Sequence, residues 1–127
     1  MTVTATGMMS ALQRLRQTLD TLHDPEVALG SWRWTVRQQM AGVRDALLAE
    51  AGQDGESWLV ARRGSVLRER TVLLGRLSAM GPLVLESPDP EAVRVELDRL
   101  AVDIGRHAQR LHDLAYDEVE LELGGSE

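Results

Sequence analysis

Residues 89–114 read DPEAVRVELDRLAVDIGRHAQRLHDL, and the fold of the chain turns on this stretch. Val93, Leu97, Leu100, Ile104, His107, Leu111 and Leu114 recur at alternating steps of four and three, the spacing of a single stripe on a long helix. Asp89 is placed to cap the helix. Pro90 suits its first turn and Glu91 suits the positive end of its dipole. The one polar member of the stripe, His107, stands where a core side chain belongs.

Working back toward the start, three more segments carry the same periodicity. Met8, Leu12, Leu15, Leu19 and Leu22 share a stripe within a helix expected over 8–23. Leu29, Trp32, Val36, Met40, Val43 and Leu47 line a second helix over 25–52, with Asp24 or Ser31 as its cap and a stop at Gly52 to Gly55. A third, over 56–80, is apolar across a wider arc: Leu59, Val66, Leu73, Leu77 and Met80, flanked by Val60, Leu67 and Leu74. Gly81 and Pro82 are expected to close it. With the fourth helix over 89–118 and short connections throughout, the expectation is a single all-α domain, an antiparallel up-down-up-down four-helix bundle spanning 1–127. Residues 119–127 form an acidic tail. Val119 to Leu123 alternate, but with no partner strand available they read as a helix end.

Composition narrows the function. Cysteine is absent, removing disulfides, thiolate metal sites and cysteine nucleophiles and favouring a cytoplasmic location. The segment Met1 to Gly7 has no basic residues leading into an apolar run, and no window approaches a membrane span, so neither secretion nor membrane insertion is expected. All fourteen basic side chains are arginine. Lysine, asparagine and phenylalanine, all with A/T-rich codons, are missing, as in a high-GC bacterial coding sequence, so the arginines are not by themselves a sign of phosphate recognition. Of twenty acids, Asp113, Asp117, Glu118, Glu120, Glu122 and Glu127 crowd the end with no base among them, and the other fourteen balance the arginines to leave the net charge at −6. Nucleic-acid binding is not expected.

His107 admits two readings. It is a histidine of the core, or it anchors a ligand site with Asp103 one turn before it and His112 beyond. Arg63 and Arg70 fall in the third helix's own register. They would build a polar layer if that side faces inward, but the expected orientation turns Val60, Leu67 and Leu74 to the core and leaves both arginines in water. Trp34 lies opposite Trp32 and aligns with Val27, Ala41 and Leu48 at steps of seven. This second apolar stripe is read as a homodimer interface or as packing along the bundle's edge. Gly42, Gly64, Gly75 and Gly105 interrupt the helical patterns. No nucleophile, acid/base pair or phosphate loop can be assembled, and no cofactor or metal is expected.

The stretch from Arg63 to Leu114 resembles the second half of a hemerythrin-like, or HHE-type, bundle. Val66-Leu67-Arg68, Leu73-Leu74 and Leu77 match the helix that begins near a ligand histidine in that family. Leu97, Leu100, Ile104 and His107 match the long helix that leads into a histidine and, four residues later, a glutamate. Leu111 stands at the glutamate position and no histidine stands near Arg62 or Arg63, while the second helix offers Gln39, Met40 and Arg44. The resemblance thus implies a degenerate member that keeps the bundle and lacks most metal ligands. The function expected is that of a non-enzymatic interaction or structural module that self-associates or binds a partner protein. The alternative is a metal- or small-ligand-binding bundle centred on His107.

Overall fold

In the computed structural model the described residues are 3–50 and 60–125, with side chains described for 7–50 and 64–113. They form α1 (Val3–Leu19), α2 (Leu29–Ala49), α3 (Val60–Glu86) and α4 (Pro90–Gly125), with no strand among them. Contacts run round a ring, α1 to α2 to α3 to α4 and back to α1. Cross-links give the directions: Trp32 near the start of α2 bonds the end of α1, Arg33 bonds the end of α3, and Glu69 early in α3 meets His107 well along α4. Neighbours are therefore antiparallel, the up-down-up-down arrangement. No described helix is long and apolar enough to cross a membrane.

The four stripes close on one core. Met8, Leu12, Leu15 and Leu19 of α1, Trp32, Val36, Met40, Val43 and Leu47 of α2, Leu73, Leu77 and Val84 of α3, and Val93, Leu97, Leu100 and Ile104 of α4 are all buried. Leu29, read as the first member of the α2 seam, is instead exposed.

Boundaries differ from expectation where a tertiary bond outranks a local signal. Asp24 does not cap α2. Its Oδ1 accepts the Glu26 N–H at 2.9 Å, making a turn of its own, and α2 starts at Leu29 after Ala28, which supplies no side-chain cap; Ser31 lies inside the helix. Helix α1 stops at Leu19 rather than His23, where the Thr18 carbonyl accepts the Thr21 N–H and hydroxyl in a turn and also the indole N–H of Trp32 at 3.0 Å.

The third helix does not close at Gly81 and Pro82 but runs through both to Glu86. Val84 is buried on the following turn, and Arg33 donates to the Val84 and Ser87 carbonyls at 3.1 and 2.8 Å, capping the end that a proline would otherwise have weakened. Gly81 lets α2 approach, since a Cβ there would stand 2.9 Å from the Arg37 guanidinium. The expected start of this helix at Glu56, with Leu59, and the stop at Gly52 to Gly55 lie outside the described residues.

At the start of α4, Asp89 Oδ1 accepts the Ala92 N–H at 3.1 Å, as a cap should. The helix continues past residue 118 to Gly125, so the alternating Val119–Leu123 stretch is helical.

Candidate functional site

Where α2 ends and α3 and α4 pass it, five charged side chains meet. His107, fully buried, touches Glu50 through Nε2 at 2.7 Å and Glu69 through Nδ1 at 2.7 Å. Arg70, also buried, donates from Nε to the same Glu50 oxygen at 3.1 Å. Arg110 pairs with Glu69 at the rim. Charges alternate inward from solvent: Arg110, Glu69, His107, Glu50, Arg70.

Each group arrives there for a local reason. Glu50 extends the α2 seam, three residues past Leu47 and seven past Val43, so it points inward. Arg70 precedes Leu73 and Leu77 in the inward register of α3, while Glu69, one residue earlier, turns to α4. His107 occupies the α4 stripe between buried Ile104 and half-buried Leu111.

A carboxylate can only accept, so an imidazole with a carboxylate on each nitrogen satisfies both contacts only as the doubly protonated cation. Burial is the largest single influence on the His107 pKa and opposes the charge. The hydrogen bonds and charges of Glu50 and Glu69 together outweigh it, and the pKa is raised above 6.5. For Glu69, burial again opposes the charge, and the hydrogen bonds from His107 and Arg110 prevail, so its pKa is lowered below 4.5. No buried side-chain nitrogen or oxygen among the described residues lacks a partner.

That arrangement leaves His107 no lone pair with which to ligate a metal or abstract a proton. The two glutamates lie against opposite ring nitrogens, and among the described residues no group of three or more histidine, cysteine or acidic side chains could hold a metal ion. What the cluster can do is tie three helices together at one level.

The residues singled out from sequence fall in different places. Asp103 does not orient the ring of His107: it accepts from Arg76 at 2.8 Å and lies 3.9 Å from Arg106, half exposed on the α3–α4 flank. His112 is exposed. The expectation that both arginines of α3 face water is corrected at Arg70, because Leu73 and Leu77 turn inward and carry it with them, leaving Leu67 exposed. The side chain of Arg63 lies outside the described residues. On α2, Trp34, Ala41 and Leu48 are exposed, whereas Val27 precedes the helix and packs against the core, leaving the stripe.

Sequence reading missed Glu50 and Glu69. The steps from Val43 and Leu47 carried a signal for Glu50. Nothing in the sequence singled out Glu69, whose role depends on how α3 is turned toward α4. Comparison with protein-family models, curated proteins and solved structures finds no match.

Proposed function

We propose that this protein is a non-enzymatic, cytoplasmic helical-bundle module that works by protein–protein contact and self-associates through the outer face of α2. The observation that carries this reading is the exposure of Trp34, 62 % accessible, in line with exposed Ala41 and Leu48. An indole left in water on a surface stripe is the type of side chain that dominates association energy when a partner covers it. The polar cluster supports the same reading from inside, because its groups are spent on one another and hold helices in register, a use to which buried charged groups are put in other bundles.

A hemerythrin-like ancestry belongs to the proposal as a history of the fold. The inward place of His107 on α4 supports it, and Leu111, where that family has a glutamate, keeps iron chemistry out of it.

Analytical ultracentrifugation of the untagged protein over a wide concentration range tests the reading. A concentration-dependent dimer that is lost in Trp34→Ala, with helix content preserved, is expected. A wild-type protein that stays monomeric throughout would count against it.

A further inference from the structure

His107 is held at both ring nitrogens, and the two holds are unequal. Glu50 meets Nε2 at 2.7 Å from a side chain only 2 % accessible, and buried Arg70 donates to the same oxygen. Glu69 meets Nδ1 at the same distance, but its side chain is 31 % accessible and is shared with exposed Arg110. One carboxylate is locked in the core, and the other stands at its edge.

The other charged groups of the four helices leave this contrast intact. Arg14 and Arg16 of α1, Arg44 and Asp45 of α2 and Arg68 of α3 are all exposed. On α4 itself Asp103 is held by Arg76, while Arg106, His112 and Asp113 are exposed.

Removing one proton from the ring forces a choice between the two holds. A neutral imidazole keeps one N–H and turns a lone pair toward whatever faces the other nitrogen, and a carboxylate has no proton to offer it. Baring Nε2 would set that lone pair against Glu50 inside the core, where the carboxylate has no water to turn to. Baring Nδ1 lets Glu69 swing outward and remain with Arg110. Burial makes the first far costlier than the second. Glu69 also lines a groove of about 410 Å³ between α3 and α4, with Arg76, Arg106 and Arg110 around it. Its carboxylate therefore stands between that groove and Nδ1.

We infer that His107 and Glu69 form a proton-operated latch: when the ring loses its Nδ1 proton, Glu69 withdraws to the rim with Arg110, Nε2–H stays on Glu50, and water from the groove donates to Nδ1. The buried hold fixes the tautomer, so a core histidine becomes a proton acceptor that is reachable from outside. Both carboxylates favour the charged ring and together outweigh its burial, so release comes above the ordinary 6.5. The latch belongs to the single chain and stands apart from the self-association proposed above.

Nitrogen NMR of the full chain with isotope-labelled histidine reads the tautomer, and His23→Gln and His112→Gln assign the other two rings. Both nitrogens of His107 should carry protons below pH 6.5, and on titration Nδ1 alone should move to the unprotonated position. Diethyl pyrocarbonate, which acylates a ring nitrogen that is both bare and reachable, reads access in the double variant that lacks His23 and His112. Peptide mass spectrometry should find His107 modified above its titration midpoint and protected below it. Glu69→Gln in that background keeps the groove closed, because the amide accepts from Nδ1–H and donates to bare Nδ1. The midpoint should then fall by roughly 1 pH unit or more, with the modification lost even where the ring is neutral. Loss of the proton from Nε2, a ring that keeps both protons until the bundle unfolds, or a neutral ring left unmodified with Glu69 in place would each overturn the latch. Equal modification with and without Glu69→Gln overturns it too, since Glu69 is then not the part that moves.

Discussion

His107 and Glu50 stand 57 residues apart in the chain, yet Nε2 and Oε2 lie 2.7 Å from each other with both residues buried. The contact joins the last turn of α2 to the middle of α4, and Arg70 on the same Glu50 oxygen brings in α3. No pair of local signals could have specified it, and its consequences for stability are direct.

Glu50→Ala should destabilise the fold by about 3–5 kcal/mol, because it leaves His107 and Arg70 charged and buried without their shared acceptor. Urea denaturation measures this. Replacing Glu50, Arg70 and His107 together by apolar residues of similar size should recover much of the loss, since the buried acceptor and the two cations that share it are then removed together.

Stability should depend on pH through the same cluster. The raised pKa of His107 adds stability that is complete below 6.5 and is lost as pH climbs through the folded value above it. The lowered pKa of Glu69 adds stability that is present above 4.5 and is lost as pH falls through the folded value beneath it. Melting temperature should accordingly be highest between these limits. His107→Gln should flatten the alkaline decline and shrink the acid limb to what Arg110 contributes at Glu69.

The two tryptophans of α2 should separate core from surface. Trp32, 1 % accessible and bonded to Thr18, should cost about 3–5 kcal/mol on replacement by alanine. Trp34→Ala should shift the melting temperature little at concentrations where the protein is monomeric. Thermal denaturation of both variants gives the comparison.

Glycines inside helices divide by what surrounds them. A Cβ at Gly75 meets nothing within 4 Å, so Gly75→Ala should stabilise by about 0.5–1 kcal/mol through helix propensity. Gly81→Ala gains the same term but must displace the end of Arg37, and its net effect should fall below that of Gly75→Ala. Calorimetry of the two proteins side by side decides the order.

Much of the bundle was legible because one-dimensional periodicity maps onto a helix face without knowledge of the rest of the chain. The stripe from Val93 to His107 is buried at every seam position described, as are Met8 to Leu19 and Trp32 to Leu47. The cap at Asp89 was equally readable, since the acceptor and the N–H it serves lie three residues apart. Boundaries differed where partners outside the stripe intervened: Arg33 bonds the end of α3 beyond Pro82, and the Thr21 turn and the Trp32 indole meet on the Thr18 carbonyl where α1 ends.

The rotation of α3 marks the limit of such reading. Its apolar arc was wide enough to turn either edge inward, and the expected orientation, with Val60, Leu67 and Leu74 to the core, put Arg70 in water. Packing against α2 and α4 chose the edge bearing Leu73, Leu77 and Val84, and with it the burial of Arg70 and the meeting of Glu69 with His107. Asp103 went the other way, to Arg76, because a residue four positions from His107 shares its helix but not its inward direction closely enough to compete with two facing glutamates. By itself the sequence determined four amphipathic helices, their order, and which stripe of three of them is apolar, since these depend on residue spacing within each segment. The tertiary structure decided how α3 is turned, which acids reach His107 and where α1 and α3 end, because each of these depends on side chains brought together from segments far apart in the chain.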